Sequence, residues 1–123
     1  MQTNLTSEDR LQSDCFLWFH NSYPSLRGLL FHVPNGGNRD AREGNKFKAM
    51  GVTPGIPDLI LLLPGQGGKI MGIEFKTSEG RISPAQEKLH TTWRGVGCNI
   101  EVVREVGRFK EIIQQACGAP QIL

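Results

Sequence analysis

Cysteine is scarce in this 123-residue chain, and what there is does not pair up. Cys15, Cys98 and Cys117 are far apart, odd in number and without CxxC spacing. Such a set excludes both a disulfide scaffold and a structural zinc site. It reads instead as small apolar side chains in a reducing compartment. Long hydrophobic runs are also lacking. A run such as Leu59 to Leu63 is far short of the ~20 apolar residues that span a bilayer. The N-terminus carries Glu8, Asp9 and Asp14 and no basic stretch leading into an apolar one, so it does not read as a signal peptide. The expected location is the cytoplasm, with no membrane partner. Charge is not one-sided either: 14 basic and 12 acidic residues leave +2, which by itself decides nothing about nucleic acid. No P-loop, GxSxG elbow or zinc-type His/Cys cluster is present, so no NTPase, serine hydrolase or zinc hydrolase is indicated and no nucleotide cofactor is expected.

What is present is a clear succession of elements. Leu11, Cys15, Trp18 and Phe19 recur at helical spacing over residues 6 to 22. Thr6 or Ser7 caps that helix, and Tyr23-Pro24 ends it. Leu29 to Val33 is a strand candidate closed by Pro34. Residues 39 to 50 suggest a helix, with Ala41, Phe47 and Met50 available for packing and Gly51 to end it. Leu59 to Leu63 has the continuous apolar character of a strand covered on both faces. Pro64 to Gly68 is a tight reversal, and Lys69 to Lys76 the returning strand. Ser83 caps a helix to Arg94, with Pro84 first and Gln86 at the capping-box position. Ile100 to Val103 is a further strand, and Arg108 to Cys117 a helix closed by Gly118. Trp18 and Trp93 occupy apolar helical positions and read as core. The order α, β, (α), β, β, α, β, α predicts an α/β fold, one domain over 1–123 with a mixed β-sheet flanked by helices.

The chemistry concentrates in one hairpin. Asp58 lies eight residues before Gln66, and Glu74 eight after it. With Gln66 at the centre of the turn, antiparallel pairing sets Asp58 across from Glu74, their Cβ atoms about 4.5–5.5 Å apart. Lys76, two residues on, shares that face. Two adjacent carboxylates raise each other's proton affinity unless a cation neutralises them. Mg²⁺ suits such a pair, because it accepts one or two carboxylates, keeps several waters and takes phosphate oxygens as further ligands. The backbone carbonyl of Phe75 is a candidate third ligand. Lys76 is placed to orient a water or to hold negative charge developing on a phosphate.

These residues sit in recognisable words. Pro57-Asp58 followed by Glu74-Phe75-Lys76 resembles the PD-(D/E)xK nuclease signature. His32-Val33-Pro34-Asn35-Gly36-Gly37, Gly55-Ile56-Pro57-Asp58-Leu59, Ile73-Glu74-Phe75-Lys76-Thr77 and Gly80-Arg81-Ile82-Ser83-Pro84-Ala85-Gln86 together resemble the VRR-NUC branch of that superfamily. The resemblance runs from Glu8 to about Arg104. It implies a restriction-endonuclease-like fold and a metal-dependent nuclease acting on DNA. It also implies kinship with stand-alone, virus- or phage-encoded members thought to dimerise and to cut branched DNA such as four-way junctions, which for a phage protein means the bacterial host cytoplasm. It marks Glu8 as an acidic helix residue helping to hold metal, and Gln86 as a glutamine near the active site. The namesake VRR segment is not intact, since Val102-Val103-Arg104 occupies the comparable region.

The expected catalytic set is therefore Asp58, Glu74, Lys76, Glu8 and Gln86. The expected metal ligands are Asp58, Glu74, the Phe75 carbonyl and Glu8, with Mg²⁺ as cofactor and Mn²⁺ as substitute. Each residue has a plainer role as well. Glu8 stabilises a helix N-terminus, Gln86 completes a capping box, and His32 reads as a packed or surface histidine. Asn35, Gly36 and Gly37 form a turn whose N–H groups are able to approach a phosphate. Arg39, Arg42, Lys46 and Lys48 fall in one segment between that loop and Pro57-Asp58, and Arg81 and Lys88 extend the basic set; these are the expected DNA contacts. No aromatic platform for unpaired bases is evident. Alternatives are a flap or single-strand nuclease, and a non-catalytic DNA-binding module that kept the fold. The intact Asp58, Glu74 and Lys76 argue against the latter.

Overall fold

Capping decides where the first helix starts. The Thr6 hydroxyl accepts the Asp9 N–H, and the Asp9 carboxylate accepts the Thr6 N–H. This reciprocal pair satisfies two otherwise open donors, and α1 runs Ser7–Ser22. The computed structural model describes residues 6–34 and 41–122, apart from the side chains of 41–44. After α1 come a 3-10 turn at Pro24–Leu26, β1 (Leu30–His32), α2 (Ala41–Ala49), β2 (Leu59–Leu62), β3 (Ile70–Phe75), α3 (Pro84–Gly95), β4 (Asn99–Val103) and α4 (Val106–Cys117). The sheet is ordered β1-β2-β3-β4; β1, β2 and β3 pair antiparallel, and β4 joins β3 in parallel. A parallel neighbour requires a crossover, which α3 supplies. The fold is the mixed α/β arrangement that the order of elements predicts.

Strand alternation gives the sheet two unlike faces. Leu59, Leu61, Met71, Ile73, Phe75 and Val103 are buried with Cys15 and Phe19 of α1, Tyr23, and Phe109, Ile112 and Ile113 of α4. Trp18 sets its edge against Tyr23 and Phe109 and belongs with this core. The opposite face carries Ile60, Gly72, Glu74 and Ile100, with α3 packed toward its β4 side. Three packing expectations change here. Trp93 lies outside the main core, beside a cavity shared with Val52, Ile56 and Ile60. Met50 is 70 % exposed, because α2 stops at Ala49 and leaves it in the turn beyond. Leu62 is 37 % exposed, because α3 covers the other edge of this face and leaves the β1–β2 end open. Residues 39 and 40 of the expected helix lie outside the described residues.

Two glycines let the loop before β2 lie flat between sheet and helix. A Cβ on Gly72 would sit 2.7 Å from Pro57 Cγ and 3.3 Å from Ile100 Cγ1. Gly55 has φ +85°, and a Cβ there would meet the Ala85 carbonyl oxygen at 2.5 Å. Pro57 is thereby pressed onto β3, which fixes Asp58, the residue just before β2. At the far end of α1, a C-terminal clasp holds the helix. The Tyr23 hydroxyl donates to the Gly118 carbonyl at 2.7 Å, and the Gln121 and Ile122 N–H groups both donate to the Ser22 carbonyl.

Gly72→Ala is expected to cost roughly 1–3 kcal/mol, the usual range for forcing a methyl group into a filled interior. Gly95→Ala, where an added Cβ meets nothing within 4 Å, should instead stabilise by about 0.4–1 kcal/mol. Urea denaturation of the two variants checks both signs.

Candidate active site

The hairpin pairs Leu59 with Ile73, Ile60 with Gly72, Leu61 with Met71 and Leu62 with Ile70. One step further along the same register sets Asp58 opposite Glu74, the pairing predicted from the position of Gln66. The Asp58 carbonyl accepts the Val33 N–H of the β1 side, and the Lys76 N–H donates to Val103 of β4. Asp58 and Glu74 therefore turn their backbone groups away from each other. Such non-hydrogen-bonded partners approach most closely, with Cα atoms about 4.5 Å apart. The Phe75 N–H donates to Asp58 Oδ2 at 2.7 Å and fixes that carboxylate. The carbonyl of Phe75 leaves the strand by the same edge, toward Asp58.

Glu74 is 2 % exposed. Burial, a side-chain hydrogen bond with Asp58 and the Asp58 charge push its pKa up to about 9; Lys76 pulls it down and Glu8 pushes it up. Glu74 Oε1 is buried and has no hydrogen-bond partner. Opposite it, at 3.5 Å, stands His90 Nε2, also buried and also unpartnered. Burial and the nearby Arg94 and Lys76 lower the His90 pKa and favour the neutral ring. Lys76 is buried at the end of β3.

The remaining expected residues fall into two groups. Glu8, in the first turn of α1, acts electrostatically on Glu74, and its Oε2 lies near Gly80. Gln86 completes the capping box: its Oε1 accepts the Ser83 N–H at 2.9 Å, and its N–H donates to Ser83 Oγ at 3.2 Å. It also lines a cavity of about 400 Å³ with Asp9, Gln12, His32, Gly55 and Asp58. Lys46, Lys48, Arg81 and Lys88 are exposed. Asn35, Gly36, Gly37 and Arg39 lie outside the described residues, as does the side chain of Arg42.

Three features escape the sequence reading. His90 is one, although it stands four residues after Gln86 and so on the same side of α3, a signal that was available. His32 is another. Its Nδ1 lies 2.8 Å from the Asp58 carbonyl and 2.9 Å from the Gln12 amide. A carbonyl only accepts, so an Nδ1 that bonds to Asp58 carries the proton. The third is Arg104, whose Nη1 donates at 2.7 Å to the carbonyls of both Thr77 and Gly80, tying down the loop that follows Lys76.

The donors fit a hard divalent cation. Among the described residues no three His, Cys, Asp or Glu side chains form a ready-made cage. Mg²⁺ makes do with one or two carboxylates, and here a buried carboxylate faces a second one, with too little positive charge nearby to keep it ionised.

The sign of the pH dependence follows from Glu74. Its pKa is about 9 folded against 4.5 for the ordinary group, so the folded state holds a proton that the unfolded chain has lost. Stability of the metal-free protein should fall as pH rises toward 9. Between pH 7 and 8.5 the slope should be at most about 1.4 kcal/mol per pH unit, the value for one proton. Glu74→Gln should flatten it. Chemical denaturation in EDTA across that window is the check.

A profile of the VRR-NUC domain family matches residues 6–106. One solved structure, titled a VRR-NUC domain protein, is similar with a TM-score of 0.74 and 24 % identity, over 98 % of this chain and 100 % of that one. A second, titled VRR-NUC domain, has a TM-score of 0.58 and 24 % identity, over 89 % of this chain and 97 % of the other. No curated protein matches. The family profile spans both carboxylates, the lysine and the helix that follows them, and the chain belongs to the VRR-NUC nuclease domain family.

Proposed function

We propose that the protein is a Mg²⁺-dependent DNA endonuclease that cuts branched DNA as a homodimer. The observation that carries this reading is the facing pair Asp58 and Glu74, with a buried lysine two residues further along the same strand face. In this proposal Asp58, Glu74 and the Phe75 carbonyl hold the ion, Mn²⁺ is able to replace it, and Glu8 supports it from α1. A divalent ion bound there supplies positive charge to the scissile phosphate and acidifies a water. Lys76 orients the attacking water or holds the negative charge that develops on the phosphate oxygens. The Gln86 side chain, anchored by its oxygen at the α3 cap, leaves its amide nitrogen for the cavity beside Asp58. Gly55 packs against Ala85 at the start of α3 and Pro57 against Gly72 of β3, so the loop that leads into Asp58 is held between helix and sheet.

Exposed basic residues would grip the DNA backbone, Lys46 and Lys48 on α2, Arg81 before α3 and Lys88 within it, joined by Arg39, Arg42 and the N–H groups of Asn35, Gly36 and Gly37. Cutting both strands of a symmetric junction requires two active sites, hence two copies. The exposed Phe31 and Leu62, on the open end of the α3 face, are an apolar surface that a second copy would cover. The three cysteines are free thiols, in keeping with a cytoplasmic location. No helix among the described residues is long and apolar enough to cross a membrane.

The test is cleavage of labelled four-way junction, flap, single-stranded and linear duplex DNA in Mg²⁺, Mn²⁺ or EDTA. Paired nicks in the junction are expected, lost in EDTA. Glu74→Ala and Lys76→Ala should lower the rate by a factor of at least about 100, the scale for removing transition-state charge stabilisation, while binding persists. Wild-type cleavage by Lys76→Ala would overturn the assignment. Preferential cutting of flaps or single strands would redirect the substrate, and binding without metal-dependent cleavage would make the protein a binding module. Light scattering at micromolar concentration should return twice the monomer mass.

A further inference from the structure

Between Glu74 and α3, two buried polar atoms face each other and neither has a hydrogen-bond partner. They are Glu74 Oε1 and His90 Nε2, 3.5 Å apart, in residues 2 % and 3 % exposed. An unpaired polar atom in the interior is costly, and two of them meeting by chance at that separation is a poor use of a core position. The pair is within a few tenths of an ångström of a good hydrogen bond. His90 is set on α3 one turn after Gln86, and α3 starts at a doubly satisfied cap. It is therefore fixed from the same helix end that presses on Gly55 and shapes the Asp58 loop. The ring lines a cavity of about 390 Å³ with Ile82, Glu87, Thr91, Arg94 and Val102, the last being the β4 partner of Glu74.

We propose that His90 is a positioning residue for Glu74: its Nε2–H donates to Oε1 and leaves the other carboxylate oxygen directed at the shared space with Asp58. The inference rests on the metal-site reading given above. A carboxylate that binds a cation through one oxygen commonly has the other held by a hydrogen bond, and losing that partner weakens the metal about 10–100-fold. His90 touches neither the cation nor the substrate in this arrangement. It acts by restricting the rotation of Glu74, whose two oxygens would otherwise be interchangeable.

Two variants of similar length and volume separate donation from packing. His90→Gln keeps an N–H near the Nε2 position, whereas His90→Met fills the space without a donor. Mn²⁺ binding by calorimetry reads the effect directly, with no need for DNA. His90→Met should bind 10–100-fold more weakly, and His90→Gln within about threefold of the unaltered protein. In cleavage, His90→Met should need correspondingly more Mg²⁺ yet approach the unaltered rate when the ion saturates. Equal affinity in all three proteins overturns the proposal, and so does an equal loss in both variants. If His90→Met does not fold, the imidazole ¹⁵N spectrum of the unaltered protein decides. An Nε2–H resonance that shifts on adding Mg²⁺ supports the proposal, and an unprotonated Nε2 overturns it. Failure of the unaltered protein to bind Mn²⁺ overturns the metal-site reading itself, which sets that failure apart from an error about His90.

Discussion

Two carboxylates facing each other within a sheet are the constraint to which the rest of the chain responds. Left alone, such a pair keeps a proton between its members, and the buried partner titrates far from its ordinary range. The surroundings do not relieve this fully. One N–H is given to Asp58, one ammonium stands beside Glu74, and the imidazole facing Glu74 is biased toward its neutral form. A site kept short of positive charge and donors is unfavourable for the empty fold and favourable for whatever cation enters it.

The sheet divides these demands between its faces. One face, shut by α1 and α4, gathers the buried aromatic and aliphatic side chains of the core, with His32, Asn99 and Glu101 at its margins. The other face is free to hold Glu74 and Lys76 because it is not asked to hold the molecule together. Glycine and proline mediate between them: Gly72 gives up its side chain so that Pro57 rests directly on β3. A few tenths of an ångström at that contact is transmitted to Asp58, the next residue.

Much of this was legible in the sequence, and for physical reasons. Hairpin register follows from the turn, so eight residues on each side of Gln66 sufficed to match Asp58 with Glu74. Capping boxes are local, so Ser83 with Gln86 could be read directly, whereas at α1 the sequence offers Thr6 or Ser7 as the cap and the structure assigns Thr6, paired with Asp9. What stayed hidden depends on contacts between distant segments. His90 meets Glu74 only after α3 folds back over β3, and Arg104 reaches Thr77 and Gly80 only through the parallel pairing of β4. Met50 and Trp93 were misplaced because apolar character says that a residue prefers cover, not that cover exists. Glu8 and Gln86 were brought to the neighbourhood of the site, yet a neighbourhood is not a ligand sphere, and their roles rest on the proposal.

The clasp at the far end of α1 has a consequence in time. The helix that carries Glu8 precedes α4 by the length of the sheet, but it docks against α4 and is fastened at Ser22 and Tyr23 by residues 118 to 122. During synthesis it has only part of its seat until nearly a hundred further residues have emerged. Contacts of such long sequence separation form late. The helix beside the carboxylate pair therefore gains its full seat only once α4 and the residues just beyond it are in place.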